Sequence, residues 1–287
     1  MNFNFDFESA FNAARAKTKN ASAVQSIVSS EDIVKGMNTY FRYYQKDMWK
    51  CIEESIASDK AIDHKLMFKS GTGTGKTEVF KFISPYIIAK HKEAGNKEGL
   101  VFGFVCHRIG LSQDLSRRII PTILNKYRQD DSGYGRIWFD PNYKEGLAGC
   151  NLPKDKIKFY IVNSGKPVKE LQVYTPKHVK DFNTEELTEE IEKNRKAGIH
   201  SMFICLYQSL AEYGNKNMKN IDFDFLICDE IHALNTMGET IFNNCTRLFD
   251  RSKRVFYFSA TLQFDKDDER YLECISCNSN KIKAINA

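Results

Sequence analysis

Apolar and polar positions follow two alternating rhythms from about Gln45 onward. Short runs that are apolar nearly throughout predict buried strands, and longer runs with apolar positions three and four apart predict amphipathic helices. The strand-like runs are KLMFKS (65–70), GLVFGFVC (99–106), KFYIVN (158–163), SMFICL (201–206), DFLICD (224–229) and RVFYFSA (254–260). Helical patterns at 76–91, 110–126 and 184–196 lie between them. This order predicts an α/β fold, with a parallel sheet of roughly six or seven strands flanked by helices.

Two segments depart from this rhythm. Residues 7–40 carry two polar-rich helical patterns, which predict a helical N-terminal extension at 1–40 to a domain at 41–287. Residues 129–157 hold several glycines and two prolines without clear periodicity, which predicts a loop-rich insertion.

Composition limits the function only weakly. Lys and Arg number 42 against 37 Asp and Glu, and this net charge of +5 neither indicates nor opposes a polyanionic partner. No apolar run approaches the ~18 residues of a membrane span, and the N-terminal segment is acidic where a signal peptide is basic. We therefore expect no membrane contact and a cytoplasmic protein, or a viral protein that acts inside a host cell.

Cysteines are scattered through apolar segments, which is typical of reduced thiols rather than of a disulfide framework. Cys274 and Cys277 form a CxxC pair, but a zinc site needs a second pair of ligands. We therefore interpret this pair as incidental spacing.

A glycine-rich stretch, SGTGTGKT at 70–77, lies between a predicted strand and a predicted helix. Gly71, Gly73 and Gly75 would let backbone N–H groups converge on phosphate oxygens, because no Cβ blocks the approach. Lys76 would then reach the β and γ phosphates, and the Thr77 hydroxyl would bind Mg²⁺. The alternative is a plain glycine turn. The coincidence of strand, loop, GKT and helix favours nucleotide binding, although serine replaces the first glycine of the strict motif.

Two acids, Asp229 and Glu230, leave the predicted strand at 224–229. An acid at the carboxyl end of a parallel strand can hold Mg²⁺ through water, and a second acid can orient and deprotonate an attacking water. A solvated strand end is the alternative. The GKT sequence upstream favours the metal-binding interpretation.

These motifs, taken in order, resemble the first RecA-like lobe of superfamily 2 helicases and translocases of the DExH type. The similarity is closest to the branch with restriction-enzyme motor subunits and phage or repair helicases. FRYYQKD (41–47) resembles the adenine-recognition motif of that branch, and SGTGTGKT resembles motif I. The remaining matches are VCHRIGLSQDL (105–115) to motif Ia, LYQSL (206–210) to the segment before motif II, DEIH (229–232) to motif II and SAT (259–261) to motif III.

The resemblance implies ATP and Mg²⁺ as cofactors and nucleic acid as a partner, with DNA favoured over RNA. The implied catalytic residues are Lys76, Asp229, Glu230 and His232. The implied ATP-binding residues are Arg42, Gln45, Gly71, Thr72, Gly73, Thr74, Gly75, Lys76 and Thr77, with Thr77 and Asp229 as magnesium ligands. The implied nucleic-acid contacts are His107, Arg108, Gln113, Tyr207 and Gln208, and Ser259 and Thr261 would couple ATP hydrolysis to movement.

Some of these positions have alternative interpretations. His232 is either a hydrogen-bonded core histidine or a link between the γ-phosphate water network and motif III. Phe41 and Tyr43 are either core residues, or one of them stacks on adenine. Cys106 and His107 replace the usual start of motif Ia, and Leu206 replaces a threonine, which weakens the expectation for nucleic-acid contacts there.

The chain ends 26 residues after Thr261, and motifs IV to VI of a second RecA-like lobe, with its arginine finger, are not found. We therefore expect one lobe of a helicase or translocase that needs a second lobe, in a longer chain or in a partner. Alone it should be nearly inactive. The alternative function is a nucleic-acid-binding or partner-binding module in which ATP acts only as a switch.

Overall fold

The computed structural model describes residues 29–60, 64–69, 74–113, 152–163, 169–172, 174–260 and 284–286. Several predictions fall outside these residues: the first helical pattern of the extension, most of the insertion and of the helix at 110–126, and six single positions. Those positions are Gly71, Thr72, Gly73, Thr261, Cys274 and Cys277.

An all-parallel sheet forms the centre of the described chain. Its spatial strand order is β4-β3-β5-β2-β6-β7-β1-β8. The strands are β1 Lys65–Lys69, β2 Val101–Cys106, β3 Ile157–Val162, β4 Lys177–His178, β5 His200–Leu206, β6 Phe225–Asp229, β7 Arg254–Ser259 and β8 Ala284–Asn286. Six of them have five or more residues and coincide with the six predicted strands, while β4 and β8 are short edge strands. The α/β prediction is confirmed.

Eight helices flank the sheet in the described residues. They are α1 Ser30–Tyr40, α2 Tyr43–Ala57, α3 Lys76–Phe80, α4 Ile83–Glu93, α5 Lys169–Gln172, α6 Thr184–Lys196, α7 Tyr207–Gly214 and α8 Glu239–Arg251. Residues 109–113 are also helical, and a 3₁₀ helix at Ile231–Thr236 follows β6.

The single helix predicted at 76–91 is instead two helices, with a turn at Lys81 and Phe82. Pro85 explains the break, because it has no N–H to donate to the carbonyl of Lys81. The helix predicted at 184–196 is confirmed with both bounds. Asn183 and Glu186 begin it with a reciprocal capping box, in which each side chain accepts the other's N–H at 2.9 and 3.0 Å.

Alternate side chains of the central strands face two separate apolar clusters. One face packs against α1 to α4, with Phe68, Phe104 and Phe258 among its buried residues. The other face packs against α6, α7 and α8, with Phe203 and Tyr257 among its buried residues. Both faces of the sheet are therefore covered, which explains why β2 and β5 are buried at every position and read as continuous apolar runs.

Helix α1 packs against the rest of the lobe. Ile33 and Met37 are buried in the first cluster. The Ser30 N–H and hydroxyl donate to the two carboxylate oxygens of Glu93, at the end of α4, at 2.6 and 2.7 Å. Residues 30–40 thus share a core with the domain that follows them.

Candidate active site

The carboxyl ends of four neighbouring strands bring the predicted site residues to one edge of the sheet. In the order β2-β6-β7-β1, strand β6 ends at Asp229, β7 ends at Ser259 and β1 leads into the glycine-rich loop. Ligands of open α/β sheets bind at this edge. Residues as distant in the chain as Lys76 and Ser259 therefore meet through the strand order.

The described part of the glycine-rich loop begins at Thr74 and leads into α3 at Lys76. Gly75 has φ +77°, and a Cβ built on it would lie 2.6 Å from Nε2 of Gln45. Its backbone conformation therefore favours glycine, and a side chain here would displace the amide of Gln45. Lys76 is buried, and its Nζ lies 3.6 Å from Oε1 of Glu230.

Asp229 is the last residue of β6 and is half-buried. Burial raises the pKa of its carboxyl to about 6, the adjacent Glu230 adds to this rise, and Lys76 opposes it. A buried carboxylate is costly unless a cation or hydrogen bonds offset its charge. A divalent cation would offset this charge, and Asp229 and Thr77 are the two residues predicted to bind it.

Glu230 has an unusual backbone conformation at the point where the chain leaves β6. Its φ of 51° and ψ of 50° are left-handed, a region that costs a non-glycine residue about 1–3 kcal/mol. Its carboxylate lies between several partners: Oε1 faces Lys76, while Oε2 accepts the Ala260 N–H at 3.4 Å and lies 3.3 Å from Nδ1 of His232. The strained turn therefore aims the carboxylate into the site.

The structure brings His232 and Ser259 together, at the two positions predicted to link motif II with motif III. His232 Nδ1 lies 2.8 Å from the Ser259 hydroxyl. The His232 side chain is 38% exposed, so it is not a core histidine. The Ala260 N–H contact to Glu230 was not anticipated, since a backbone donor carries no signal in the sequence.

The adenine-recognition segment lies beside the glycine-rich loop. Gln45 is buried; its Oε1 accepts the Arg42 N–H at 2.9 Å, and its Nε2 donates to the carbonyls of Thr74 and Gly75 at 3.1 and 3.3 Å. The side chain thus fastens the start of α2 to the loop. Arg42 itself is exposed.

Phe41 and Tyr43, the two candidates for stacking on adenine, have opposite environments. Phe41 is 5% exposed and meets the ring of Phe82 edge-on, with 6.0 Å between ring centroids. Tyr43 is 79% exposed. Only Tyr43 is accessible to a base.

The residues predicted to contact nucleic acid divide into accessible and buried ones. Arg108 and Gln208 are exposed, and His107 and Gln113 are half-buried. The Nδ1 of His107 is buried without a hydrogen-bond partner in the described chain, and burial lowers the pKa of its ring.

Tyr207 departs from the prediction, because it is fully buried and cannot contact nucleic acid in this structure. Its hydroxyl donates instead to the main-chain carbonyl of Asp229 at 3.0 Å. The sequence did contain a signal for the burial of Tyr207. Tyr207, Leu210, Ala211 and Gly214 have the spacing of one helix face, and all four are buried.

Nowhere in the described residues are three histidine, cysteine or acidic side chains arranged to hold a metal ion. The five cysteines within those residues form no disulfide. No helix there has the length and apolar character to cross a bilayer.

Residues 38–264 match the protein family described as "Type III restriction enzyme, res subunit". Two similar solved structures are Type ISP restriction-modification enzymes: LlaBIII bound to DNA, and a nuclease-deletion mutant of LlaGI in complex with a DNA substrate mimic. Their sequence identities are 15% and 17%, their TM-scores are 0.47 and 0.49, and they cover 77% and 80% of this chain. The chain spans only 13% and 16% of those two proteins.

A third similar structure is a hypothetical ATP-dependent RNA helicase from Sulfolobus tokodaii, with 14% identity and a TM-score of 0.46 over 90% of this chain and 57% of that one. No protein of curated function matches the sequence.

Proposed function

We propose, from the premise that the chain belongs to the family of Type III restriction enzyme res subunits, that it binds and hydrolyses ATP to drive movement on nucleic acid. The family's domain is the N-terminal ATPase lobe of a superfamily 2 helicase or translocase. The observation that carries the proposal is the convergence of Lys76, Asp229 and Glu230. Three charged side chains from two distant segments meet at the carboxyl edge, where ligands bind.

Each of these residues has a separate role in the proposal. Lys76 binds the β and γ phosphates, and the N–H groups of the glycine-rich loop cradle them. Thr77 and Asp229 hold Mg²⁺, which neutralises phosphate charge when bound. Glu230 orients the attacking water and accepts its proton, while His232 and the Ala260 N–H hold the carboxylate in place.

We propose that the nucleic acid lies across the exposed residues at the ends of β2 and β5. Arg108 and Gln208 are exposed there, and contacts of this kind reach sugar and phosphate rather than base edges. DNA is favoured over RNA because restriction enzymes act on DNA.

We further propose that a second RecA-like lobe completes the ATP site with an arginine. Two arginines late in the described chain donate to main-chain carbonyls instead. Arg251 donates to the carbonyls of Met218 and Lys219, and Arg254 donates to those of Ser55 and Ser58. Because an arginine finger raises phosphoryl-transfer rates by about 10³ to 10⁵, a lobe without one should hydrolyse ATP very slowly.

The test combines thermal shift, ATPase and strand-displacement measurements on the 287-residue chain. We expect MgATP to raise the melting temperature, turnover to be very slow, strand binding to weaken steeply with salt, and no unwinding to occur. A melting temperature that MgATP leaves unchanged would refute the ATP site. Robust unwinding by this chain alone would refute the need for a second lobe. ATP turnover that a strand never stimulates, even when the second lobe is supplied, would favour the switch function.

A further inference from the structure

Tyr207 connects two parts of the site that are not adjacent in the sheet. It follows β5 directly, and its hydroxyl donates to the Asp229 carbonyl at the end of β6. Strand β2 lies between these two strands. Neighbouring strands are about 4.8 Å apart, so the ring spans two strand intervals, a distance of about 10 Å from main chain to main chain. A phenol has both the length and the terminal donor for this contact.

The accepting carbonyl belongs to the peptide unit that sets the direction of Glu230. That peptide joins Asp229, the proposed magnesium ligand, to Glu230, whose φ of 51° is strained. A non-glycine residue keeps such a conformation only when its surroundings hold it there. The Tyr207 hydroxyl is one of the groups that hold it, because it fixes the orientation of the Asp229 carbonyl.

Tyr207 is itself immobilised by packing. The side chain is fully buried with Leu210 and Ala211 on the inner face of α7, and the Cys245 thiol donates to its carbonyl at 3.4 Å. The next residue, Gln208, is exposed on the same helical turn, about 100° further around the helix axis. A shift of this turn towards or away from the sheet therefore moves Gln208 and the Tyr207 hydroxyl together.

We propose that Tyr207 is a positioning residue that transmits strand binding at Gln208 to the Asp229–Glu230 turn, and so couples nucleic-acid affinity to nucleotide affinity. The inference rests on the proposed function, since it needs both ligands to bind. Tyr207 contacts neither ligand. Its coupling is reciprocal: a strand changes the affinity for nucleotide by the same factor by which nucleotide changes the affinity for the strand.

The experiment measures this coupling factor without hydrolysis. The probes are the Mg²⁺ complex of the β,γ-imido analogue of ATP and a single-stranded oligo(dT), each titrated with and without a saturating amount of the other. The variants are Tyr207→Phe, which removes only the hydroxyl, and Gln208→Ala, which removes the exposed contact. Tyr160→Phe is the matched control, because Tyr160 is another fully buried tyrosine whose hydroxyl bonds Glu190 and Asn194, on β3 and away from the site.

We expect a coupling factor of about tenfold in the wild type and in Tyr160→Phe. In Tyr207→Phe the factor should fall to within about twofold of unity, while each ligand alone binds within about threefold of its wild-type affinity. Gln208→Ala should lose strand affinity instead.

Three results would overturn the inference. Retained coupling in Tyr207→Phe would show that the hydroxyl transmits nothing. Wild-type protein that binds both ligands without coupling would refute the inference and leave the proposed function intact. Wild-type protein that binds neither ligand would remove the proposed function, and the inference with it.

Discussion

Charged side chains lie both at the amino ends and at the carboxyl ends of the strands, which form two opposite edges of the sheet. The two edges differ in how fully other groups of the protein offset those charges. At the amino edge, the carboxylate of Asp224 is 2% exposed and accepts the Val101 N–H at 2.8 Å, Arg195 at 3.0 Å and Lys253 at 2.7 Å. At the carboxyl edge, burial raises the pKa of Asp229 to about 6. The amino edge thus neutralises its buried acid with the protein's own groups, whereas at the carboxyl edge those groups offset the charge of Asp229 less completely.

Other residues at the two edges show the same contrast. His200, at the start of β5, accepts the Leu100 N–H at 3.0 Å, and Arg254, at the start of β7, donates to two carbonyls at the end of α2. At the opposite edge, the buried Nδ1 of His107 has no hydrogen-bond partner in the described chain, and Glu230 has a strained backbone. Buried charge alone does not mark a site. Incomplete compensation and strain in the same place do.

The largest effect that would test this contrast is the loss of turnover in Glu230→Gln. The amide keeps the shape of the side chain but cannot accept the proton of water, so single-turnover ATP hydrolysis should fall by about 10² to 10⁴. MgATP affinity should stay near that of the wild type, because the phosphate contacts remain. Asp229→Ala is the matched control and should weaken magnesium-dependent binding itself. Equal losses of binding in both variants would show that the two acids do not have separate roles.

At the amino edge, Asp224→Ala should instead cost stability. Removing the acid breaks a buried ion pair and leaves the Val101 N–H unsatisfied, which should lower the free energy of unfolding by about 3 kcal/mol. Urea denaturation measures this loss, and nucleotide affinity should not change. The control is Asp222→Ala. Asp222 is 67% exposed, and its ion pair with Arg251 is long, at 3.8 Å, so its loss should lower the free energy of unfolding by less than about 1 kcal/mol. A loss of nucleotide affinity in Asp224→Ala would contradict the assignment of stability to the amino edge and of nucleotide binding to the carboxyl edge.

Lys76→Ala should weaken MgATP binding by at least about 100-fold, because it removes the charge-assisted contacts to the β and γ phosphates. The fold should stay intact, because the backbone of the glycine-rich loop does not change. Isothermal titration with the imido analogue measures the affinity. Lys65→Ala serves as the control, because Lys65 pairs with Asp250 at the start of β1, at the amino edge. Unchanged affinity in Lys76→Ala would refute the phosphate-loop assignment.

The amino edge should also respond to acid through His200. Burial, with His91 adding to it, lowers the pKa of this imidazole to about 4, so the folded protein resists protonation while the unfolded chain accepts a proton near pH 6.5. The stability that His200 contributes is therefore fully present above pH 6.5 and is lost as the pH falls towards 4. Between pH 6.5 and 5 the loss should be about 2 kcal/mol.

His200→Gln should remove this part of the pH dependence of urea denaturation. An unchanged pH profile in His200→Gln would contradict the assignment.

Much of the sheet was predictable from the sequence, because buried parallel strands have to be apolar and motifs I and II occupy strand ends. The position of Lys76 beside Glu230 followed from those motifs. The partners of Asp224 did not, since Val101 lies 123 residues away and only the strand order brings it close. The contact between Tyr207 and Asp229 was missed for the same reason: it depends on β2 lying between β5 and β6.

The smallest predicted effect concerns the base of the nucleotide and the two aromatic residues at the start of α2. Tyr43→Ala should weaken MgATP binding by about 1 kcal/mol, or roughly fivefold, because an exposed ring gains only its stacking energy when adenine binds. Phe41→Ala should barely change affinity when measured on folded protein, but it should lower the free energy of unfolding by about 3 kcal/mol, since the ring is buried against Phe82. A loss of affinity in Phe41→Ala together with a loss of stability in Tyr43→Ala would show that Phe41 contacts the base and that Tyr43 supports the core.

Gln45→Ala separates stacking from support of the loop. If the amide reads adenine, the variant should lose more affinity for ATP than for GTP or CTP, because a site built to pair with one base discriminates against the others. Gln45 also bonds the carbonyls of Thr74 and Gly75, and losing that support should weaken all three nucleotides equally. Titration of ATP, GTP and CTP against wild type, Tyr43→Ala and Gln45→Ala measures both contributions. Equal losses for every base in Gln45→Ala would leave it a role only in holding the loop, and would leave Tyr43 as the base contact to be tested at this edge.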